Sequence, residues 1–198
     1  MDAGKATISG VFNGSRLLEI PFYQRAYVWG EEQWERFLGD MEFVTASKRP
    51  YFLGSIILKQ ESSGYTWSEV SEVRTVIDGQ QRLTTMVIFF KALCAKIDAD
   101  RLFERDFVLE TGEVALRHGK YDRQDFEKVV SATGREPVEG SSSIVLAYNY
   151  FLKNIDPEKV DRNTIKSNVQ FVCIDLTEGE DEQQIFDTIN SLGVRLTT

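Results

Sequence analysis

The stretch that decides the fold is residues 76–90, which read VIDGQQRLTTMVIFF. An apolar strand ending at Ile77 runs into Asp78-Gly79, and a long apolar helix is predicted to follow at once. Anions bind readily at such a junction, because the first backbone N–H groups of a helix lack internal partners and the helix dipole is positive there. Arg82 lies in the first helical turn, where the dipole disfavours a cation, so its presence indicates a negatively charged partner.

The same residues also have a purely structural interpretation. Asp78 is a good helix N-cap, and Gln81 three residues later completes a capping-box pattern ahead of the apolar run. Capping leaves Gly79, a poor helix former, and Arg82 without an explanation. Anion binding and simple capping therefore stay open as alternatives from these residues alone.

Length and composition are those of one globular domain. The 198 residues are 42% apolar and 27% charged, and no apolar run approaches the roughly 20 residues of a membrane span. The net charge of −8 argues against non-specific attraction to nucleic acid, which depends on Lys and Arg. Cys94 and Cys173 both lie in apolar segments, so we expect core thiols in a reducing cytoplasm, not disulfides.

The sequence excludes several catalytic classes. His118 is the only histidine, and we interpret it as an exposed polar residue. A histidine-based zinc site, a Ser-His-Asp triad or a histidine–metal nuclease is therefore not expected. The chain has no Walker A sequence, which excludes the P-loop class. We expect no zinc, haem or flavin, and no nuclease activity in this chain.

The apolar pattern predicts an α+β fold: a mixed sheet packed on a buried central helix, with additional helices in the C-terminal half. The central helix runs from Asp78 to about Ile97, and Pro21 predicts an extended loop over residues 20–29. We expect one domain over residues 1–198, truncated before a C-terminal helical or nuclease region. Its core would span about residues 10–100 and a more helical extension about 101–198. The other predicted elements are strands at 17–20, 51–59, 72–77 and 168–176, a hairpin at 107–109 and 114–116, and helices starting at Glu31 and spanning 122–130, 143–155 and 180–192.

Two segments carry basic and amide groups where apolar packing would be expected, Tyr23-Gln24-Arg25 and Gln80-Gln81-Arg82. Two arginines with flanking amides suit a triphosphate, and Asp78 suits a Mg²⁺ ion that bridges the phosphates. Simpler interpretations stay open. Arg25 would then pair with Glu31 or Glu32 on the surface, and the aromatic residues of the 20–29 loop would be packing residues.

Four motifs in order resemble the DGQQR-motif domain at the N-terminus of GmrSD-type modification-dependent (type IV) restriction systems. They are IPFYQRAYVW at 20–29, YFLGSI at 51–56, DGQQRLT at 78–84, and a spaced Ile-Phe…Ile-Asn…Gly…Leu pattern at 185–196. The resemblance covers roughly residues 10–198 and implies a fold related to ParB and sulfiredoxin. Gln80 occupies the place of the sulfiredoxin cysteine, so reductase activity is not expected.

The resemblance also implies a nucleoside triphosphate that is held at the DGQQR turn and hydrolysed with Mg²⁺ or another divalent cation. By position, Asp78, Gln81 and Arg82 would be catalytic, and Asp78 would also bind the metal. The implied nucleotide-binding residues are Tyr23, Gln24, Arg25, Gly79, Gln80, Thr84 and Asn190. For Asn190 the alternative is a plain helix end ahead of Gly193.

The resemblance finally implies a regulatory role in a restriction or phage-defence system of the bacterial or archaeal cytoplasm. In full-length members an HNH-type nuclease domain cuts DNA, and the N-terminal domain senses modified bases or gates the nuclease. The implied partners are an NTP, modified DNA and that nuclease domain or subunit, with no membrane, and a homo-oligomer is compatible with them. The alternative function is a non-catalytic switch or interaction module that binds a nucleotide or a DNA phosphate.

Overall fold

The structure, a computed structural model, describes residues 1–61, 72–177, 179–181 and 185. Within these residues the chain forms six strands and seven helices. In chain order they are β1 (Asp2–Thr7), α1 (Ile8–Val11), β2 (Arg16–Glu19), α2 (Glu31–Ser47), β3 (Tyr51–Gln60), β4 (Glu72–Asp78), α3 (Gln80–Lys96), α4 (Asp100–Phe107), β5 (Leu116–Arg117), α5 (Arg123–Val130), α6 (Ser143–Asn154), α7 (Arg162–Asn168) and β6 (Val169–Leu176).

The six strands form one mixed sheet in the order β1-β6-β3-β4-β2-β5. Strands β3 and β4 are antiparallel, with Leu58 opposite Val76, as the sequence predicts. Strand β6 lies between β1 and β3, which explains why its residues are apolar on both faces. The predicted α+β class is confirmed. Kinship with ParB and sulfiredoxin, and the division into a core and an extension, stay predictions.

Helix α3 is the buried centre of the fold. Every residue of α3 is buried except Gln81, Arg82 and Lys96. Helices α4, α5 and α6 and strand β5 all contact it, as a helix that is apolar nearly all round requires. The predicted central helix is confirmed. The two residues near its N-terminus that are partly exposed, Gln81 and Arg82, belong to the DGQQR sequence.

The N-terminal half otherwise follows the sequence pattern. Helix α2 begins at Glu31 and buries the predicted stripe of Trp34, Phe37, Leu38 and Met41. Residues 20–29 contain neither helix nor strand and connect β2 to α2 as an extended loop. Because β2 is parallel to β4, this loop leaves the sheet at the same edge as the turn that follows Asp78.

The predicted hairpin over 107–116 is confirmed in part, because its two segments pair but Phe107 belongs to a helix. Helix α4 continues through Phe107, because Phe103 and Phe107 stack on its buried face with ring centroids 5.3 Å apart. Val108 pairs antiparallel with Val114, and backbone hydrogen bonds flank this bridge on both sides, at 2.8 Å from the Leu109 N–H to the Glu113 carbonyl and at 2.7 Å from the Ala115 N–H to the Phe107 carbonyl. Strand β5 also pairs in parallel with β2. The sequence pattern also missed β1, α4 and α7. Most of the predicted helix over 180–192 lies outside the described residues.

A buried ion cluster fastens α7 to α4. The Asp106 carboxylate contacts Arg162 and lies 2.7 Å from Lys166 Nζ. Burial alone would raise the pKa of Asp106, but the hydrogen bonds from Lys166 and Arg162 hold it below its usual value. Two charged partners thus satisfy a carboxylate that would be costly to bury alone.

In the part of the chain that the structure describes, no helix is both long and apolar enough to cross a bilayer.

Candidate functional site

The junction of β4 and α3 is a sharp turn at Gly79. Asp78 is the last residue of β4, and Gly79, with φ of 101°, is the N-cap of α3. The alternative interpretation, in which Asp78 caps the helix through a capping box with Gln81, is therefore wrong. Among the described residues no side-chain hydrogen bond caps α3, and the first turn of the helix contains no acidic residue. The positive end of a 17-residue helix is thus left without a local anionic side chain in that turn.

Gly79 is required by the fold itself. A left-handed backbone conformation favours glycine. A Cβ atom at this position would also lie only 2.6 Å from the Ile56 Cγ2 atom on β3. The presence of Gly79, which capping did not explain, therefore follows from the close contact between the turn and the neighbouring strand.

Arg82 lies flat against the backbone of β3. Its Nη2 atom donates to the Ser55 carbonyl at 2.6 Å and to Asp78 Oδ2 at 3.1 Å. A Cβ atom on Gly54 would lie 3.1 Å from Arg82 Cδ and Nε, so glycine there makes room for the guanidinium. Asp78 is thus the negative partner that the arginine's position indicated. The Arg82 Nε atom is buried without a hydrogen-bond partner among the described residues.

The glutamines bind the 20–29 loop to this turn. Gln80 Nε2 donates to the Arg25 carbonyl at 2.8 Å, and Gln24 Nε2 donates to the Ile77 carbonyl at 3.0 Å. Gln81 accepts from the Val28 N–H at 2.9 Å and donates to the Ala26 carbonyl at 3.3 Å. The structure therefore brings the two predicted segments together, through amide contacts to backbone groups.

The side-chain amides of Gln24, Gln80 and Gln81 and the backbone groups that they bond form what we call the glutamine latch. Arg25 and Tyr23 are exposed beside it. Within the described residues the Arg25 side chain forms no ion pair, so the alternative pairing with Glu31 or Glu32 is not found. The side chains of Asp78 and Arg82 are 35% and 26% exposed, so both of their charges are in reach of a ligand. The Arg82 guanidinium and the Asp78 carboxylate consequently lie at the N-terminal end of α3, and the backbone of the exposed Arg25 is held beside them by Gln80.

Tyr27 is a packing residue, as the simpler interpretation predicts. Its hydroxyl accepts from Trp34 Nε1 at 2.8 Å and bonds with Thr85 Oγ1 at 2.7 Å. Burial raises the pKa of Tyr27 to about 12, against the smaller lowering effect of these hydrogen bonds. The Tyr27 N–H donates to Asp122 Oδ2 at 2.8 Å, which fastens the loop to the residues before α5.

Thr84 and His118 meet inside the core. Thr84 is fully buried, and its hydroxyl lies 3.1 Å from His118 Nε2. The interpretation of His118 as an exposed residue is wrong, because its ring packs on Phe126 and the residue is only 2% exposed. The structure thus places Thr84 beneath the turn, away from Arg25 and on the interior side of α3.

His118 is expected to make stability sensitive to acid. Burial lowers the pKa of His118 from 6.5 to about 3, although the Asp122 carboxylate lies 3.8 Å from Nδ1. Between these values the unfolded chain binds a proton that the folded chain does not. The free energy of unfolding therefore decreases as the pH is lowered, and the contribution of His118 to this decrease is roughly 2 kcal/mol between pH 6.5 and 5.

Urea unfolding at pH 7.5 and 5.0 measures this effect against a His118→Gln variant. Glutamine keeps a polar partner for Thr84 but does not titrate. Other acidic groups affect both proteins equally, so the variant should lose roughly 2 kcal/mol less than the wild type. Equal losses would show that His118 is protonated in the folded protein.

The predicted site residues still to be considered are Asn190 and the metal ligand Asp78. Asn190 lies outside the described residues. Among the described residues no three His, Cys, Asp or Glu side chains cluster as a metal site. Asp78 is therefore a single carboxylate, which fits Mg²⁺ held mainly by phosphate oxygens and water but not a cage of protein ligands.

Sequence reasoning missed Gly54 and Ser55 as part of this site. The available signal was a glycine inside an otherwise apolar strand, which marks close approach of another group. That group is the Arg82 guanidinium, which lies 27 residues after Ser55 in the chain.

Comparison with known proteins places these motifs in one family. A family model for the N-terminal domain of the GmrSD restriction endonuclease matches residues 8–198. Comparison with curated proteins gave no match. The match covers nearly the whole chain, including the 20–29 loop, the Gly54 strand and the DGQQR turn. The chain therefore belongs to the family of GmrSD restriction endonuclease N-terminal domains.

Proposed function

We propose that this chain is an NTP-binding and hydrolysing regulatory domain of a modification-dependent (type IV) restriction or phage-defence enzyme. It would control DNA cleavage by an HNH-type nuclease domain or subunit. The observation that carries the proposal is the Asp78–Arg82 pair at the uncapped N-terminal end of α3. Family membership supports the restriction context, and the site chemistry supports the nucleotide.

The charges around the turn match those of a metal–triphosphate complex. Arg82 and Arg25 offer guanidinium groups for phosphate oxygens, and the helix dipole adds a fixed positive potential. Asp78 offers a carboxylate for the divalent cation. A bound Mg²⁺ would supply neutralisation of phosphate charge. The ion pair between Asp78 and Arg82 is partly exposed, so breaking it costs little free energy. Arg82 would then contact a phosphate and Asp78 a cation.

Gln81 would act through position and not as a base, because an amide does not take up a proton near neutral pH. Its side chain is engaged with the Val28 N–H and the Ala26 carbonyl. Gln80 and Gln24 are engaged in the same way with Arg25 and Ile77. We assign the three glutamines to holding the Arg25 segment beside Arg82.

This latch also favours a second candidate function. Because the three amides bond the 20–29 loop to the turn, a ligand that binds Asp78 and Arg82 and shifts the turn would also shift the loop. The site would then work as a switch that binds a nucleotide or a DNA phosphate without hydrolysing it. The two functions differ in one observable, the release of inorganic phosphate.

Titration calorimetry of the protein with each NTP, in Mg²⁺ and in EDTA, tests both functions. We expect Mg²⁺ to raise the NTP affinity at least about tenfold through Asp78, and Asp78→Asn to abolish that increment. The matched control is Glu72→Gln, which removes the other carboxylate of β4 that pairs with an arginine, Arg16.

Three outcomes separate the possibilities. Binding accompanied by phosphate release supports the NTPase, and binding without release supports the switch. If no NTP binds in Mg²⁺, or if Asp78→Asn and Glu72→Gln behave alike, the nucleotide assignment is overturned.

A further inference from the structure

We infer that residues 22–23 and 120–123 form a surface for unpaired bases of single-stranded DNA. This aromatic surface consists of Phe22, Tyr23, Lys120, Tyr121 and Arg123. The inference rests on the part of the proposed function that concerns DNA, and it adds a contact surface whose binding needs neither the nucleotide nor the metal.

Three large aromatic side chains of these two loops are exposed to solvent. Phe22, Tyr23 and Tyr121 are 78%, 59% and 75% exposed, and the rings of Phe22 and Tyr23 meet edge to face at 5.5 Å. Aromatic side chains of this size normally bury most of their surface in a globular fold. A group of exposed rings therefore indicates a binding function.

The two loops that carry the rings pack against each other. A Cβ atom on Gly119 would lie 3.3 Å from the carbonyl oxygens of Ile20 and Pro21 and 3.4 Å from Phe22 Cα. Tyr121 follows Gly119 by two residues, so its Cα lies within about 8 Å of that contact. The exposed residues Phe22, Tyr23 and Tyr121 thus lie in one region of the surface.

The loops are also fixed before any ligand arrives. Gln24, Gln80 and the Tyr27 N–H tie residues 20–29 to the turn and to Asp122 by the hydrogen bonds described above. Arg123 Nε donates to the His118 carbonyl at 3.1 Å, which holds the second loop. Aromatic residues on a fixed backbone lose little conformational entropy when they bind, which favours stacking.

Charge selects the ligand. Lys120 and Arg123 are exposed on this surface, whereas the carboxylate of Asp122 between them turns inward to the Tyr27 N–H. The combination of exposed rings and cations suits a chain of bases joined by phosphates. Bases within a duplex are stacked on one another, so only unpaired bases offer their faces to Phe22 and Tyr121.

Fluorescence anisotropy with a labelled 12-nucleotide oligothymidine, in EDTA and without nucleotide, tests the inference. We expect tighter binding of the single strand than of a duplex of equal length. Phe22→Ser and Tyr121→Ser should each weaken single-strand binding about fivefold or more. Leu146→Ser is the control, because Leu146 is an exposed apolar residue on neither loop.

Salt dependence tests the cations separately. Lys120→Ala should reduce the slope of log K against log salt concentration by about 0.7, the contribution of one cation–phosphate contact to a single strand. An unchanged slope would remove Lys120 from the surface, and affinities of the Phe22 and Tyr121 variants equal to that of Leu146→Ser would overturn the inference.

Two further results would also overturn it. One is equal affinity for duplex and single strand. The other is self-association in sedimentation velocity that Phe22→Ser abolishes, since this would assign the surface to a second copy of the chain. Because the assay contains no NTP and no metal, its failure is independent of the nucleotide titration.

Discussion

Arg82→Ala is expected to lower the proposed Mg²⁺-dependent NTP hydrolysis at least about a hundredfold, because it removes a fixed cation from the phosphate charge that would develop in the transition state. Arg82 is held for this by the Ser55 carbonyl, the Asp78 carboxylate and the close passage over Gly54. Steady-state phosphate release by the protein, compared between wild type and variant, measures the loss.

Two further variants separate catalysis from folding. Arg82→Lys keeps the charge but loses the planar guanidinium, so an intermediate rate is expected. Arg16→Ala removes an arginine from a comparable ion pair with Glu72, about 20 Å along β4 from Asp78, and should leave the rate unchanged. Wild-type phosphate release by Arg82→Ala with an unaltered melting temperature would refute the catalytic assignment.

Gly79→Ala is expected to cost about 2–4 kcal/mol of stability, the second large effect. One part is the left-handed backbone, with φ of 101°, which disfavours any residue with a Cβ. The other is the 2.6 Å approach of that Cβ to Ile56 Cγ2, which forces the turn away from β3. For a chain of this size the melting temperature should fall by roughly 5–12 °C.

Two control substitutions, Gly14→Ala and Gly39→Ala, separate the backbone contribution to this loss of stability from the steric contribution. Gly14 has φ of 81° but open space around it, so Gly14→Ala carries the backbone cost alone, about 1 kcal/mol. Gly39 lies within α2 with neither constraint, and Gly39→Ala should stabilise the helix slightly. If Gly79→Ala melts no lower than Gly14→Ala, the contact with Ile56 is absent in solution.

The sequence predicted the elements whose signals are local. An apolar strand, a glycine turn and a helix apolar on all sides sufficed for β4, the turn and α3, since burial of such a helix is the only stable outcome. The same holds for the stripe of α2. Short elements with few periodic residues, such as β1 and α7, gave no comparable signal.

The candidate site could be predicted as a set of residues but not as a geometry. The pairing of the 20–29 loop with the DGQQR turn followed from shared chemistry, amides and arginines in two otherwise apolar segments. The hydrogen-bond partners of these side chains could not be predicted from the sequence. Gln24, Gln80 and Gln81 bind backbone carbonyls and N–H groups more than 50 residues away, and any residue type presents those groups.

What the sequence by itself determined is the strand–turn–helix junction and the arginine within it. Tertiary structure alone decided that Asp78 pairs with Arg82 instead of capping α3, that Gly54 makes room for the guanidinium, and that His118 is buried. The physical reason is that helix and strand propensity depend on neighbours in the chain. The partner of a charge depends on which distant backbone the sheet register brings beside it.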